Sequence, residues 1–586
     1  MAATSVNAQT AETVYTNGKF YTVNKDQPWA EAVAINNGLF EVVGTNEEAL
    51  ATAGENTKAI DLGGAFAMPG LIDVHDHPLT TGIDWSNVAF DDPTNAEAML
   101  KQIKGFAEAR PDLPLIRGGS WNLSVFENDS PRKELLDEIV PDRPVYIISQ
   151  TGHSAWVNSK ALEMAGITKD TEQTDTFIFD TDPKTGEPSG TVREFAMGAV
   201  VQALPTLDAE PIADAQARIF AEHNSYGFTS LKPAEGDPLV IKAANILDKR
   251  GDLTIRLFPS WDWRSHYMPV PIEEQRKNIA NWKSFETKMV KPSAVKMFFD
   301  GGPDSYTAYL LEDYEGRPGF RGQTNLPVEQ FEEEISEFNR AGAGVIVHVI
   351  GDAGSRELAA LFRRVRDQIG PNGPLLHFSH AWMTRPEDVE KLAAIDGVCM
   401  DFSPALAYPA PEIEGSMAPP VGDRYQTFFN VKSAIKAFKK AKGSQNGIPV
   451  GFGSDWPSAL IPDPNGFHQM QAWVTRTNPE APGSAALNPS QAISLEDAIY
   501  GFTQGGAHCL SRGWEEKVGS IEDGKLADFI VLDRNLFESP IDELWKTKVE
   551  RTVVGGRVVY DRTLNNVGDL INEETYNPGT RYTSTP

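Results

Sequence analysis

The chain has 586 residues, 40% hydrophobic and 23% charged, with a formal net charge of −29. That is the composition of a globular protein, long enough for one large barrel with appendages. The charge argues against a nucleic-acid or anionic-membrane partner, and no apolar run approaches a membrane span. Two cysteines, Cys399 and Cys509, predict no disulfide framework and exclude a cysteine-rich zinc site. The opening "MAATSVNAQTAETVYTNGKF" lacks a basic start and an apolar h-region. The expectation is cytoplasmic, with export as the alternative because "SVNAQT" resembles the neighbourhood of a small-residue cleavage site.

The first segments read as short strands. "TVYTNGKFYTV" alternates around Asn17-Gly18 and predicts a hairpin, and "AEAVAINNGLFEVVG" repeats the pattern at Asn36-Asn37-Gly38. Near the other end "KLADFIVLD" and "RTVVGGRVVYDR" are strand-like, with a turn at Gly555-Gly556. Strands at both ends predict a small β-sandwich built from residues 1–66 and 511–586. Between them, in residues 67–510, apolar strands alternate with helical stretches, the pattern of βα units around a parallel sheet. The strands are "LIDVHDH", "GFTSLKP", "LTIRLFP", "VKMFFDGG", "VIVHVIGD", "LLHFSH", "VCMDFSP" and "VGFGSDWP". Eight is the count of a (β/α)8 TIM-like barrel, an α/β fold. It requires one long insertion, about 79–205, after the first strand; "RPVYIISQTGHSAWVNSKAL" has a strand of its own there.

In such a barrel the active site forms at the C-terminal ends of the strands. "PGLIDVHDHP" ends the first strand in His75 and His77, which alternation places on one face. Lys232 closes the second strand, Lys296 and Asp300 belong to the fourth, His348 to the fifth, His380 to the sixth and Asp455 to the eighth. Four of only ten histidines fall at these ends. Imidazole and carboxylate groups suit zinc and similar divalent ions. Each position also has a plain structural role open to it: His348 as a hydrogen-bonded core residue, Asp455 as a turn residue, Lys296 as a salt-bridge partner. His377 is expected on the same face as His380, so either could be the inward one; the place at the strand end favours His380. A free lysine cation deep in a barrel is costly, and Lys296 makes more sense carboxylated.

This ordered set resembles the amidohydrolase superfamily of metal-dependent hydrolases. "GHSAWVNSKAL", "VKMFFDGG", "TAYLLEDYEG", "HVIGDAG", "FGSDWP" and "GSIEDGKLADFIVLD" resemble its family-3 branch, which includes N-substituted formamide deformylases. The resemblance implies that His75, His77 and Asp455 bind one metal, that His348 and His380 bind a second, and that carboxylated Lys296 bridges them; a single ion is the alternative. Zinc is the default expectation. The resemblance also implies that His153 contacts the substrate or its developing oxyanion, and that Trp121 and Glu194 line the pocket. Aromatic residues near the strand ends, Phe299 and Trp456 among them, suit an aryl- or alkyl-substituted amide.

The implied reaction is hydrolysis of a non-peptide linear amide by metal-activated hydroxide, with Asp455 as proton shuttle. The same metals would serve cyclic amides, carbamates or esters, and a non-catalytic binding protein on this fold is the reading from another class. The expected partner is a small-molecule amide, and a homodimer is compatible with the sequence. The chain departs from the family pattern at His377 and Ser379, where the family has Arg and Glu. It departs again at Lys232, which replaces a His-Asp stretch, and at Ala353-Gly354. Lys232 is thereby an alternative bridging lysine.

Overall fold

The computed structural model describes residues 10–564 except 86, 91, 112, 123–124, 128–129, 150–153, 175–176, 206–207, 265–269, 405–406, 410, 444–446, 458–462 and 482. The two ends of the chain share a sheet, as their alternation predicts. Lys19–Tyr21 and Phe66–Pro69 from the start pair within a six-stranded sheet with Phe529–Leu532, Val549–Val554 and Arg557–Asp561 from the end. A four-stranded sheet places Ala11–Thr16 between Ala32–Asn36 and Ala53–Asp61. Tyr15, Val33, Ile35 and Phe40 of the second sheet share one core with Phe20, Phe529 and Val553 of the first. Tyr15 meets Phe529 edge to face, with ring centroids 5.1 Å apart.

Two of the three predicted turns join paired strands. Asn37-Gly38 and Gly555-Gly556 each connect antiparallel partners, and all four residues have positive φ, as a two-residue type I′ loop demands. Asn17-Gly18 differs. Asn17 has φ 52°, but the strands on either side belong to different sheets, and Gly18 donates its N–H to Glu31. The Asn-Gly pair turns the chain from one sheet into the other, because the neighbouring apolar residues on its two sides find separate partners.

All eight predicted parallel segments contain a strand. Leu71–Asp76, Phe228–Pro233 and Arg256–Leu257 form one sheet; Ser260–Asp262, Ala294–Phe298, Gly344–Val349, Leu376–His380, Val398–Phe402 and Val450–Phe452 form another, and every pairing is parallel. The third segment supplies Arg256–Leu257, and the chain directly after it, Ser260–Asp262, starts the second sheet. At the other seam Asp455 donates its backbone N–H to His75 at 2.8 Å, and His77 donates to Trp456 at 2.8 Å. Asp73, buried in the first strand, accepts from the backbone of both His75 and Ser454.

These strands are apolar on both faces because helices cover them. Val345, Val347, Leu376, Phe378, Met400 and Phe452 belong to the same core as Leu358, Phe362 and Val365 of the Asp352–Ile369 helix. The connecting helices carry local stop and start signals. Asp237 accepts from the N–H groups of Leu239 and Val240, Pro238 opens the helix to Arg250, and Gly251 ends it with φ 80°.

The stretch expected as the long insertion opens with a helix at Pro78–Trp85 and holds a six-stranded sheet between Val88 and Glu194, with its own apolar clusters. Its "RPVYIISQTGHSAWVNSKAL" stretch supplies two antiparallel strands, Val145–Ser149 and Ser154–Val157.

The two cysteines, which predict no disulfide by their spacing, are bonded. Cys399 lies on the seventh parallel strand and Cys509 on the Gln504–Leu510 helix, 110 residues later. Packing of that helix against the strand brings their Cα atoms to 5.5 Å, a separation suited to the bond. Among the described residues no helix is long and apolar enough to cross a membrane.

Candidate metal centre

The structure gathers six of the predicted residues at the strand ends. His75 Nε2 lies 3.1 Å from Lys296 Nζ and 3.7 Å from Asp455 Oδ1. His77 Nε2 lies 3.1 Å from the same Asp455 oxygen. The His380 ring sits 4.4 Å from the rings of both His75 and His348. His75 is fully buried, whereas His77, His348 and Asp455 keep part of their surface exposed. That exposure marks the side from which a small molecule would approach.

Local backbone explains how the cluster is aimed. His75 and His77 share a face through strand alternation. His380 and Asp455 do not follow that rule: both have left-handed backbones, with φ 71° and 59°. Such a conformation in a non-glycine residue is uncommon and concentrates at functional sites. It also corrects the expectation for the sixth strand. His377 and His380 are three residues apart, so alternation alone would send them to opposite faces. His377 and Ser379 point inward as strand residues, and His380 is brought inward by its left-handed turn.

Three of the four histidines have a group behind Nδ1. His75 Nδ1 lies 2.6 Å from Ser379 Oγ and 3.4 Å from Asp401 Oδ2; His77 Nδ1 lies 3.6 Å from Glu235 Oε2; His380 Nδ1 lies 3.4 Å from Ser403 Oγ. The Nε2 atoms of His75 and His77 are left facing Asp455. His348 Nε2 is buried with no hydrogen-bond partner among the described residues, an expensive condition for a polar atom unless something else binds there.

Electrostatics point the same way. Burial pushes the His348 imidazole down to about 3, with Lys296 and His75 adding to the shift, and lowers His380 and His75 as well. Neutral imidazoles are the form that binds metal. Burial would raise the Asp455 carboxyl, but the His77 hydrogen bond and the charges of His380, His75 and His77 outweigh it and hold the carboxyl well below the usual range. Ligand atoms of His75, His77 and Asp455 all lie within 4.8 Å of one another. Imidazole nitrogens, a carboxylate and an unpartnered Nε2 fit a divalent cation.

The other predicted residues are distributed differently. Lys232 does not reach the cluster: its Nζ lies 3.0 Å from His377 Nδ1 and donates to the Cys509 carbonyl at 2.7 Å. Lys296 is therefore the lysine beside His75. Asp300 ties loops together, accepting from the backbone of Tyr309, Ile350 and Gly351. Trp121 is enclosed in the core of the inserted sheet, where its Nε1 donates to the Ile147 carbonyl. Phe299, just past the strand end, packs at a tilt on Phe331 of the Val328–Arg340 helix, with ring centroids 4.8 Å apart. Its neighbour Phe298 is the aromatic residue at the cluster, 5.3 Å from the His348 ring and 5.0 Å from Lys296 Nζ. Alternation from Lys296 was the available signal for it. Trp456 is buried with its ring 5.1 Å from that of His223. His153 and the side chain of Glu194 lie outside the described residues.

Asp401 and Glu235 were missed among the candidate residues. A carboxylate inside the apolar stretch "VCMDFSP" was the signal for Asp401.

Comparison with known proteins agrees with this frame. A model described as the amidohydrolase family matches residues 58–560. The protein LONG AFTER FAR-RED 3 of Arabidopsis thaliana is 26% identical over 564 residues, spanning 94% of this chain and 92% of that protein. An N-substituted formamide deformylase of Arthrobacter pascens is 25% identical over 557 residues, spanning 93% and 98%. The crystal structure of an uncharacterized metal-dependent hydrolase from Pyrococcus horikoshii OT3 superposes with a TM-score of 0.71 at 20% identity, over 90% of this chain and 99% of that one. At that identity the likeness shows a shared fold. With the family match spanning most of the sequence, the chain belongs to the amidohydrolase family.

Proposed function

We propose that the protein is a divalent-metal-dependent hydrolase of a non-peptide linear amide, with an N-substituted formamide as the model substrate. The observation that carries this reading is the convergence of His75, His77, His348, His380, Lys296 and Asp455 around a buried, unpartnered His348 Nε2. The hydrogen bonds that lace the first and eighth strands support a closed (β/α)8 barrel spanning residues 67–510, with residues 79–205 as an inserted lobe. Residues 1–66 and 511–586 would then form the β-sandwich.

His75, His77 and Asp455 would hold one ion, and His348 and His380 a second. Bound ions would supply Lewis acidity and lower the pKa of a water molecule at the site. Burial pushes the Lys296 amine below its ordinary value, against the opposing pull of Glu235, Asp455, Asp401 and Asp262. A neutral amine can add to carbon dioxide, releasing one proton and leaving a carbamate anion between the two ligand sets. Asp455 takes a proton from the attacking water and delivers it to the departing nitrogen, so that water adds across the C–N bond and gives an acid and an amine. His153 is assigned to the developing oxyanion. Glu194, with Phe298 in place of Phe299, is assigned to the substrate pocket. Zinc suits the N and O donors. The cytoplasm and a homodimeric assembly complete the proposal.

The similarity to the formamide deformylase supports the substrate class. The test is release of amine from a panel of N-alkyl and N-aryl formamides, larger linear amides, cyclic amides and esters, with and without chelator. Chelator-sensitive turnover of the linear amides supports the reading. Turnover confined to cyclic amides or esters overturns its substrate class, and no turnover in metal-loaded protein overturns the enzyme.

A further inference from the structure

Behind His75 lies a buried polar chain that the proposed reaction does not use. Lys232 Nζ donates to the Cys509 carbonyl at 2.7 Å and lies 3.0 Å from His377 Nδ1. His377 Nε2 lies 2.8 Å from Asp401 Oδ2, and the same oxygen is 3.4 Å from His75 Nδ1. The other oxygen, Oδ1, accepts the backbone N–H of His380 at 2.8 Å. Lys232, His377, Asp401 and His75 are all essentially without solvent contact. Asp401 thus touches both histidines that meet at the centre of the cluster: the ring of one and the backbone of the other.

The donor logic is consistent. As an ammonium, the form that burial disfavours, Lys232 has only hydrogens to give; His377 Nδ1 then accepts and its Nε2 carries the hydrogen, 2.8 Å from Asp401 Oδ2 in charge contact but not aligned for a hydrogen bond. His75 can then place its own hydrogen on Nδ1, toward Ser379 and Asp401, which leaves Nε2 with a free lone pair facing Lys296 and Asp455. The disulfide fastens the far end, since Cys399 precedes Asp401 by two residues on the same strand and is bonded to Cys509. A carboxylate behind a ligating histidine sets its tautomer and orientation.

We infer that Asp401 is the positioning residue of the metal centre, presenting His75 through its ring and His380 through its backbone, with His377 and Lys232 as the prop that holds the carboxylate in place. This rests on the metal reading above. It also gives two of the departures from the family pattern, His377 and Lys232, a common task.

The test is zinc affinity, measured by competition with a chromophoric chelator on metal-stripped full-length protein, alongside the unfolding temperature of the same stripped samples. Asp401→Asn keeps the size but sets an amide where the carboxylate stood. The expected result is zinc affinity weakened about 10–100-fold, with the zinc content at saturation and the stripped unfolding temperature unchanged. His377→Gln should weaken affinity by a smaller factor, and it carries the test if Asp401→Asn fails to fold. Wild-type affinity in Asp401→Asn, or in His377→Gln where only that variant folds, overturns the inference. So does loss of one zinc at saturation, which would make Asp401 a direct ligand. So does a full loss carried by Ser379→Ala with Asp401→Asn unaffected. Wild-type protein that binds no zinc would instead sink the metal reading on which the inference stands.

Discussion

The two sides of the first parallel strand hold the same kinds of group in opposite states. Inward, His77 meets the carboxylate of Asp455 at 3.1 Å, with three more imidazoles and a lysine close by. Outward, Asp76 faces His223 at 3.6 Å, and among the described residues neither of its carboxylate oxygens has a hydrogen bond; Glu222, next to His223 in the chain, has a buried oxygen likewise without a partner there. Inside, the His77 hydrogen bond and the neighbouring imidazoles overcome burial and keep Asp455 ionised. Outside, burial wins: Asp76 is raised well above its ordinary value, Glu222 is pushed up to about 8, and His223 falls to about 4. A buried carboxylate and a histidine do not by themselves make a reactive site. The hydrogen bonds and polar neighbours gathered around the carboxylate decide whether it stays an anion.

The sharpest way to break this contrast is to neutralise the inner carboxylate. Asp455→Asn should cost on the order of 10²–10⁴ in kcat on whichever amide is turned over, measured with metal in excess. Next is the lysine. Lys296→Met should lower metal content from near two ions per chain toward one, read by elemental analysis. About one ion in both proteins would reduce the centre to His75, His77 and Asp455. Stripping the metal with chelator should lower the unfolding temperature and readdition should restore it; free metal at 100 times its Kd corresponds to about 2.7 kcal/mol of stabilisation.

The outer pair supplies the controls. Asp76→Asn should leave metal content unaltered, and loss of an ion there would erase the distinction between the two faces. The smallest effect expected is from Glu222→Gln. Folded Glu222 holds its proton up to about pH 8, while the unfolded chain releases it near the ordinary value of 4.5. The folded state therefore binds the extra proton between these values, and stability falls as pH rises through that window. The glutamine variant should unfold roughly 2–4 °C higher than wild type at pH 8 and at the same temperature near pH 4.5.

Short-range pattern made much of the site legible. His75-Asp76-His77, the eight apolar segments and the polar residues at their ends all follow from alternation and turn chemistry within a few residues. Phe298 was legible by the same rule, as the residue two after Lys296, and the choice of Phe299 passed over it. Trp121 was not separable from a core residue, since a tryptophan in a strand reads alike whether it lines a pocket or packs. The inward aim of His380 depends on a φ of 71° that no alternation predicts.

By itself, then, the sequence determined the strand periodicity, the union of the two termini in one sheet and a set of candidate groups at the strand ends, because each of these is written in local hydrophobic and polar order. Tertiary structure alone decided that Lys296 rather than Lys232 stands beside His75, that Asp401 backs two histidines, and that Cys399 meets Cys509. Those are contacts between residues more than a hundred positions apart or on separate strands, and only the packing of the whole chain brings such groups within reach. The same packing fixes which hydrogen-bond donors and imidazoles surround each buried carboxylate, and that difference separates Asp455 from Asp76.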